Sequence, residues 1–150
     1  MILAAQAVPS AAVLPCLAAL PSGWQLDGVD ISSGKASFWL DSDRAGVRSA
    51  TITLAAACDT AGARQIPSDQ PGARRFERPL SLVPQFSSLR FYTFPGGCAT
   101  YCFRFAPGLS PMLAIPVDGA VSFVPRATLV DYVRSTENLA LCGRGAPCPG

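Results

Sequence analysis

A chain of 150 residues that is 49% hydrophobic and only 15% charged is long enough for one compact domain and too apolar for a disordered one. Its formal net charge of +2, with no block of like charge, makes nucleic acid an unexpected partner. There is no histidine, so the commonest general base and metal ligand is missing. Lys35 is the single lysine, which leaves lysine-based covalent catalysis poorly supported.

Met1 to Leu20 is alanine-rich and uncharged, but Pro9 and Pro15 interrupt it, and it is not a convincing transmembrane helix. Ala5-Gln6-Ala7 has the small-x-small form of an export cleavage site, although no basic residue precedes it. Val13-Leu14-Pro15-Cys16 places proline where a lipoprotein box wants a small residue. Residues 1–20 are read either as the remnant of an export signal or anchor, or as a flexible apolar lead-in. A single β-rich domain is expected over 21–142, with 143–150 as a tail.

Trp24 to Ile31 alternates as a strand and turns at Ser32-Ser33-Gly34-Lys35 into a second strand, Ala36 to Leu40. Asp41 to Gly46 is a polar loop. Its Asp-x-Asp start lacks the later ligands of a calcium loop, and it reads as a turn bonded to its own backbone. Val47 to Cys58 has Ala50, Ile52, Leu54 and Ala56 on one face, with β-branched residues between them, and is the clearest strand by period.

Asp59 to Arg78 reads as the longest irregular stretch, and long loops in compact domains are often functional. Within it Asp69, Arg74, Arg75 and Arg78 form the expected binding set, because guanidinium forks hold carboxylates and phosphates. The plainer reading is a solvated loop whose arginines pair with Asp69 and Glu77. Leu80 to Val83 resumes a strand and Pro84 to Ser88 turns.

Leu89 to Phe105 is the expected centre of the core, a hairpin turning at Pro95-Gly96-Gly97. In its second arm Tyr101, Phe103 and Phe105 point one way, and Thr100, Cys102 and Arg104 the other. Met112 to Val124 is apolar but broken by Pro116 and Gly119, hence irregular, with a short helix or strand near 119–123. A helix is predicted from Pro125 to about Ser135, its stripe formed by Leu129, Val130, Tyr132 and Val133. The fold class is therefore mainly β (α+β): an antiparallel sheet or sandwich of about six to eight strands with one C-terminal helix near 125–135.

Six cysteines, an even number, fit bridges in an oxidising compartment. Residues four apart on a strand lie roughly 13 Å apart, so Cys98 and Cys102 can neither bridge one another nor chelate one metal while the strand is regular. No cofactor or metal is expected. The preferred pairing is Cys58 with Cys98 and Cys16 with Cys142, which leaves Cys102 with Cys148.

Leu20-Pro-x-Gly-Trp24, Phe38-Trp-Leu-Asp-Ser-Asp-Arg44, Cys58-Asp-Thr-x-Gly-Ala63, Pro67-Ser-Asp-Gln-Pro-Gly-x-Arg-Arg75, Phe91-Tyr-Thr-Phe-Pro-Gly-Gly-Cys98 and Val124-Pro-Arg-x-x-Leu129 follow one another along the chain. In that order they resemble small extracytoplasmic domains of actinobacteria, membrane-anchored or secreted, whose function is not known. The likeness spans nearly all of 16–142. It implies an exported location, with membrane attachment through the N-terminus, and implies nothing about catalysis.

The expected function is a non-enzymatic extracytoplasmic binding or structural domain of the cell envelope, its partner an envelope protein or glycan. The alternatives are an envelope hydrolase using a carboxylate pair from Asp41, Asp43, Asp69 and Glu77, a Cys98–Cys102 redox pair, and a zinc-binding cysteine protein.

Overall fold

The computed structural model describes residues 2–138 and 140–143. After a short helix α1 (Ile2–Ala7) and strand β1 (Val13–Leu17) come β2 (Trp24–Ser32), β3 (Lys35–Ser42) and β4 (Gly46–Ala55). Four more strands follow: β5 (Arg64–Ile66), β6 (Arg74–Ser81), β7 (Ser87–Phe94) and β8 (Gly97–Arg104). A 3-10 turn (Pro111–Ala114), helix α2 (Ile115–Ala120), strand β9 (Val121–Pro125) and helix α3 (Arg126–Glu137) complete the described chain.

The protein is mainly β, as its composition and periodicity predict. Seven strands form one antiparallel sheet in the order β2-β3-β4-β8-β7-β6-β5, and β1 pairs with β9 in a separate two-stranded ladder. The expected hairpins are present. β2 and β3 join through Ser33-Gly34, where Gly34 has φ +82, and β7 and β8 join through Pro95-Gly96, where Gly96 has φ +73. Proline followed by a glycine at positive φ is the pattern of a type II turn.

One face of the sheet carries the core. Leu40, Ala50, Ile52, Leu54, Tyr101 and Phe103 are buried there, beneath Leu14 of β1, Val117 of α2, Val121 of β9 and Leu129 and Val133 of α3. The other arm of the β8 alternation, Thr100, Cys102 and Arg104, is half-buried or exposed, so among the described residues no second layer covers that face at those positions.

Several expectations need correction. Asp59 to Arg78 is not a long loop, because β5 and β6 lie within it and form the far edge of the sheet. Between β4 and β5 the chain crosses from the centre of the sheet to that edge. The Cys58–Cys98 disulfide, with Cα atoms 5.9 Å apart, pins the start of this crossing. The β6 period was hidden because its alternating residues are arginines, whose aliphatic stems cover aromatic rings while their heads stay polar. Leu80 and Ser81 finish β6, whereas Leu82 and Val83 lie exposed beyond it.

Residues 1–20 include α1 and β1, and Ala5, Val8, Ala11 and Leu14 are buried in the core. Ser10 Oγ donates to the carbonyl of Gly96 at 2.7 Å and the Ala12 amide to that of Pro95 at 3.0 Å, tying this segment to the tip of the central hairpin. In α3 the buried stripe is Leu129, Val130 and Val133, joined by Arg126, while Tyr132 is exposed. No helix among the described residues is long and apolar enough to cross a membrane.

Of the three expected bridges, Cys58–Cys98 is present. Cys16 and Cys142 are not joined. Cys16 lies opposite Ser122 on the β1–β9 ladder, where burial pushes its pKa up, whereas Cys142 is disulfide-bonded. The carbonyl of Cys142 is held by Arg126, whose own amide binds Ala12, four residues before Cys16 and so roughly 13 Å away along an extended chain. Cys102 carries a thiol outside any disulfide, and Cys148, expected as its partner, lies outside the described residues with Leu139 and positions 144–150.

Candidate functional site

Strand alternation divides the expected binding set. In β6, Arg74 and Arg78 point to one face and Arg75 to the other, together with Glu77. Arg74 lies over the Phe76 ring at 5.9 Å and Arg78 over the Phe91 ring at 5.4 Å, and Arg78 also donates to the carbonyl of Ala61 in the crossing segment. The three guanidinium groups therefore do not converge on one ligand.

Arg75 does meet Asp69, and the two belong to a longer ladder. Arg75 donates to Asp69 Oδ1 at 3.2 Å and to Glu77 Oε1 at 2.6 Å. Arg90 Nε donates to the same Glu77 oxygen at 2.7 Å, and its Nη1 pairs with Asp118 of α2. Tyr92 adds its hydroxyl to Asp69 Oδ1 at 2.8 Å. The alternating charges join β6, β7 and α2 on the core face. Tyr101 lies beneath, its ring centroid 5.3 Å from that of Tyr92.

Burial acts unevenly along the ladder. It pushes the Glu77 carboxyl up, but the hydrogen bond from Arg75 and the charge of Arg90 outweigh it and hold Glu77 below its ordinary range. At Asp118 burial wins over Arg90 and the carboxyl is raised. Burial also lifts the hydroxyls of Tyr92 and Tyr101 above the ordinary tyrosine range, helped at Tyr92 by its bond to Asp69.

This arrangement is a poor base for acid and base chemistry. Asp69 and Glu77 hold one guanidinium between them, and a general acid needs a raised carboxyl that is free to reach substrate. Asp41 accepts the Arg48 amide at 2.7 Å, which fixes the turn read from the sequence. Among the described residues no group of three or more cysteine, aspartate or glutamate side chains is placed to hold a metal ion.

Arg90, Tyr92 and Asp118 were missed in the sequence, though each left a sign there. Arg90 alternates with Tyr92 on the core side of an aromatic strand, and Asp118 is the lone charge in the apolar run from Met112 to Val124. A charge at an inward position asks for a buried partner.

The second feature is an apolar cleft of about 270 Å³ on the core face, at the opposite side of the sheet. It exists because a two-stranded ladder cannot cover seven strands. Phe123 of β9 packs edge-on to Tyr92 at 5.2 Å and Phe94 at 5.6 Å, which places the ladder over β7 and leaves β2 and β3 partly open.

Leu14 and Cys16 of β1 form one wall of the cleft, and Phe38, Ile52 and Leu54 form its floor. Leu26, Val29 and Ile31 of β2 form the outer wall, 46%, 55% and 36% exposed. Leu26 and Val29 are three apart and share a face only because the β2–β3 register shifts between Leu26 and Gly28. At Gly28 a Cβ would stand 2.4 Å from the Trp39 ring, so the indole packs flat against glycine backbone and donates to Asp27 Oδ2 at 2.7 Å. The bulge and Gly28 thus aim the apolar row into the cleft and Asp27 away from it.

Set against models of protein families, curated proteins and solved structures, the chain matches none.

Proposed function

We propose that this chain is a non-enzymatic binding domain of the cell envelope, working outside the cytoplasm, and that it takes an apolar ligand in the cleft between β1 and the β2–β4 part of the sheet. The observation that carries this reading is the cleft itself. Its walls are apolar except for Ser37, and part of its lining is held open to solvent by β2. Binding sites are concave and mostly apolar, and exposed contiguous apolar surface marks interaction sites. The Cys58–Cys98 bridge supports an oxidising compartment. It also removes two thiols from any zinc site, and the pairing of Asp69 and Glu77 with arginine argues against those two as a hydrolase pair.

A titration with the neutral dye N-phenyl-1-naphthylamine, followed by methyl NMR, tests the cleft. The expected result is saturable binding with shifts concentrated on Leu26, Val29, Ile31, Ile52 and Leu54. Shifts spread over the surface without saturation would overturn the reading.

A further inference from the structure

We propose that the cleft takes a polypeptide in extended form, added to the outer edge of β2 as an eighth strand and alternating apolar with basic residues. This rests on the cleft being the binding site and deepens it by naming the partner's chemistry. Two independent features meet at β2.

The first is its free edge. β2 runs for nine residues at the end of the sheet, with no strand on its outer side among the described residues. Edge strands are ordinarily shortened, covered or made charged on the side that faces the core, because unpaired main-chain groups recruit other strands. Here the core-side row is Leu26, Val29 and Ile31, and the cleft opens beneath it.

The second is the division of β2 into two faces. Beyond the bulge, Val29 and Ile31 face the cleft, while Asp30, opposite Ser37, faces away. The Asp30 side chain has no hydrogen bond or ion pair among the described residues, whereas Asp27 on the same outer side is bonded to Trp39 and lies 4.0 Å from the Arg48 guanidinium. A strand laid along β2 sends alternate side chains under β1 and the intervening ones beside Asp30. Apolar residues suit the first set and lysine or arginine the second. A second copy of the chain fits less well, because β2 itself carries no lysine or arginine to set beside Asp30.

The probe is a short synthetic peptide of alternating valine and lysine, compared with the same peptide N-methylated on alternate amides and with the neutral dye. The expected result is that the plain peptide binds and competes with the dye. The N-methylated form, and the plain peptide on Asp30→Lys protein, should each bind about tenfold or more weakly, the scale of one or two main-chain hydrogen bonds or one charge pair. Dye binding should be unchanged in Asp30→Lys, which shows that this protein is folded.

If the dye saturates and the peptide does not bind, or binds equally when N-methylated, the strand proposal fails and the cleft reading stands. If neither dye nor peptide binds, both fail. Concentration-dependent dimers that Val29→Asp abolishes would assign the edge to a second copy and overturn the proposal.

Discussion

Arg126 Nη1 donates to the carbonyl of Ala5 at 2.8 Å, joining residues 121 positions apart. The same guanidinium reaches the carbonyls of Val8 and Cys142, and Gly143 packs so closely that a Cβ there would lie 2.6 Å from Nη2. Arg126 is 2% exposed, and burial lowers its pKa. One buried cation thus gathers the last turn of α1, the start of α3 and the segment after it.

Arg126→Met should cost about 3 kcal/mol or more, because several buried carbonyls lose their donor at once. Urea denaturation of variant and wild type measures it. Arg126→Lys should recover only part of the loss, since an ammonium cannot reach both sides as a planar fork does. An unchanged midpoint in Arg126→Met would show that the guanidinium is dispensable.

The Cys58–Cys98 bridge closes a loop spanning 40 positions, and in the chain-entropy picture it contributes about 4 kcal/mol. The Cys58→Ala, Cys98→Ala double variant should fall in stability by that order. Non-reducing peptide mapping should recover 58 with 98 and no peptide joining Cys16 to Cys142.

The ladder should show in the acid limb of stability, with two carboxylates acting in opposite directions. Glu77 is held below its ordinary value of 4.5, so its contribution is fully present above that pH and is lost as pH falls through the lower folded value. Asp118 is raised above 3.8, so protonating it favours the folded state as pH falls through its raised value. Glu77→Gln should make the acid loss shallower and Asp118→Asn should make it steeper. Denaturant midpoints measured across acidic pH compare the two slopes.

At the alkaline end Tyr92 and Tyr101 are both raised above 10 by burial. The stability they hold is fully present below that pH and drains as pH rises above it, since the unfolded chain then releases the protons first. Their tyrosinate absorbance should appear together with unfolding. Tyr92→Phe should cost about 1 kcal/mol at neutral pH by removing the bond to Asp69, and should flatten the alkaline limb.

Strand order aside, much of the sheet could be read from the chain. Pro95-Gly96 and Ser33-Gly34 announce turns, and Ala50, Ile52 and Leu54 or Tyr101, Phe103 and Phe105 announce inward faces, because both signals are local. β6 was lost because Arg74, Arg75 and Arg78 read as loop charges when counted by polarity, and alternation shows only once Phe76 and Phe91 are seen beneath two of them. The burial of Ala5, Val8, Ala11 and Leu14 was hidden for another reason. Alanines carry little periodic signal, and their partners, Pro95, Gly96 and Arg126, lie far along the chain. The cleft is less legible still. It depends on a one-residue register shift at Asp27 and on how far a two-stranded ladder reaches, and neither is a property of any local stretch.

The most direct test is a fluorescence titration of the neutral dye against wild type and Val29→Asp, a substitution at a half-exposed position that places a charge in the cleft wall. The prediction is saturable one-to-one binding to wild type and a loss of about tenfold or more in Val29→Asp at unchanged thermal midpoint. Equal binding by the two proteins, or no saturation in either, would contradict the account.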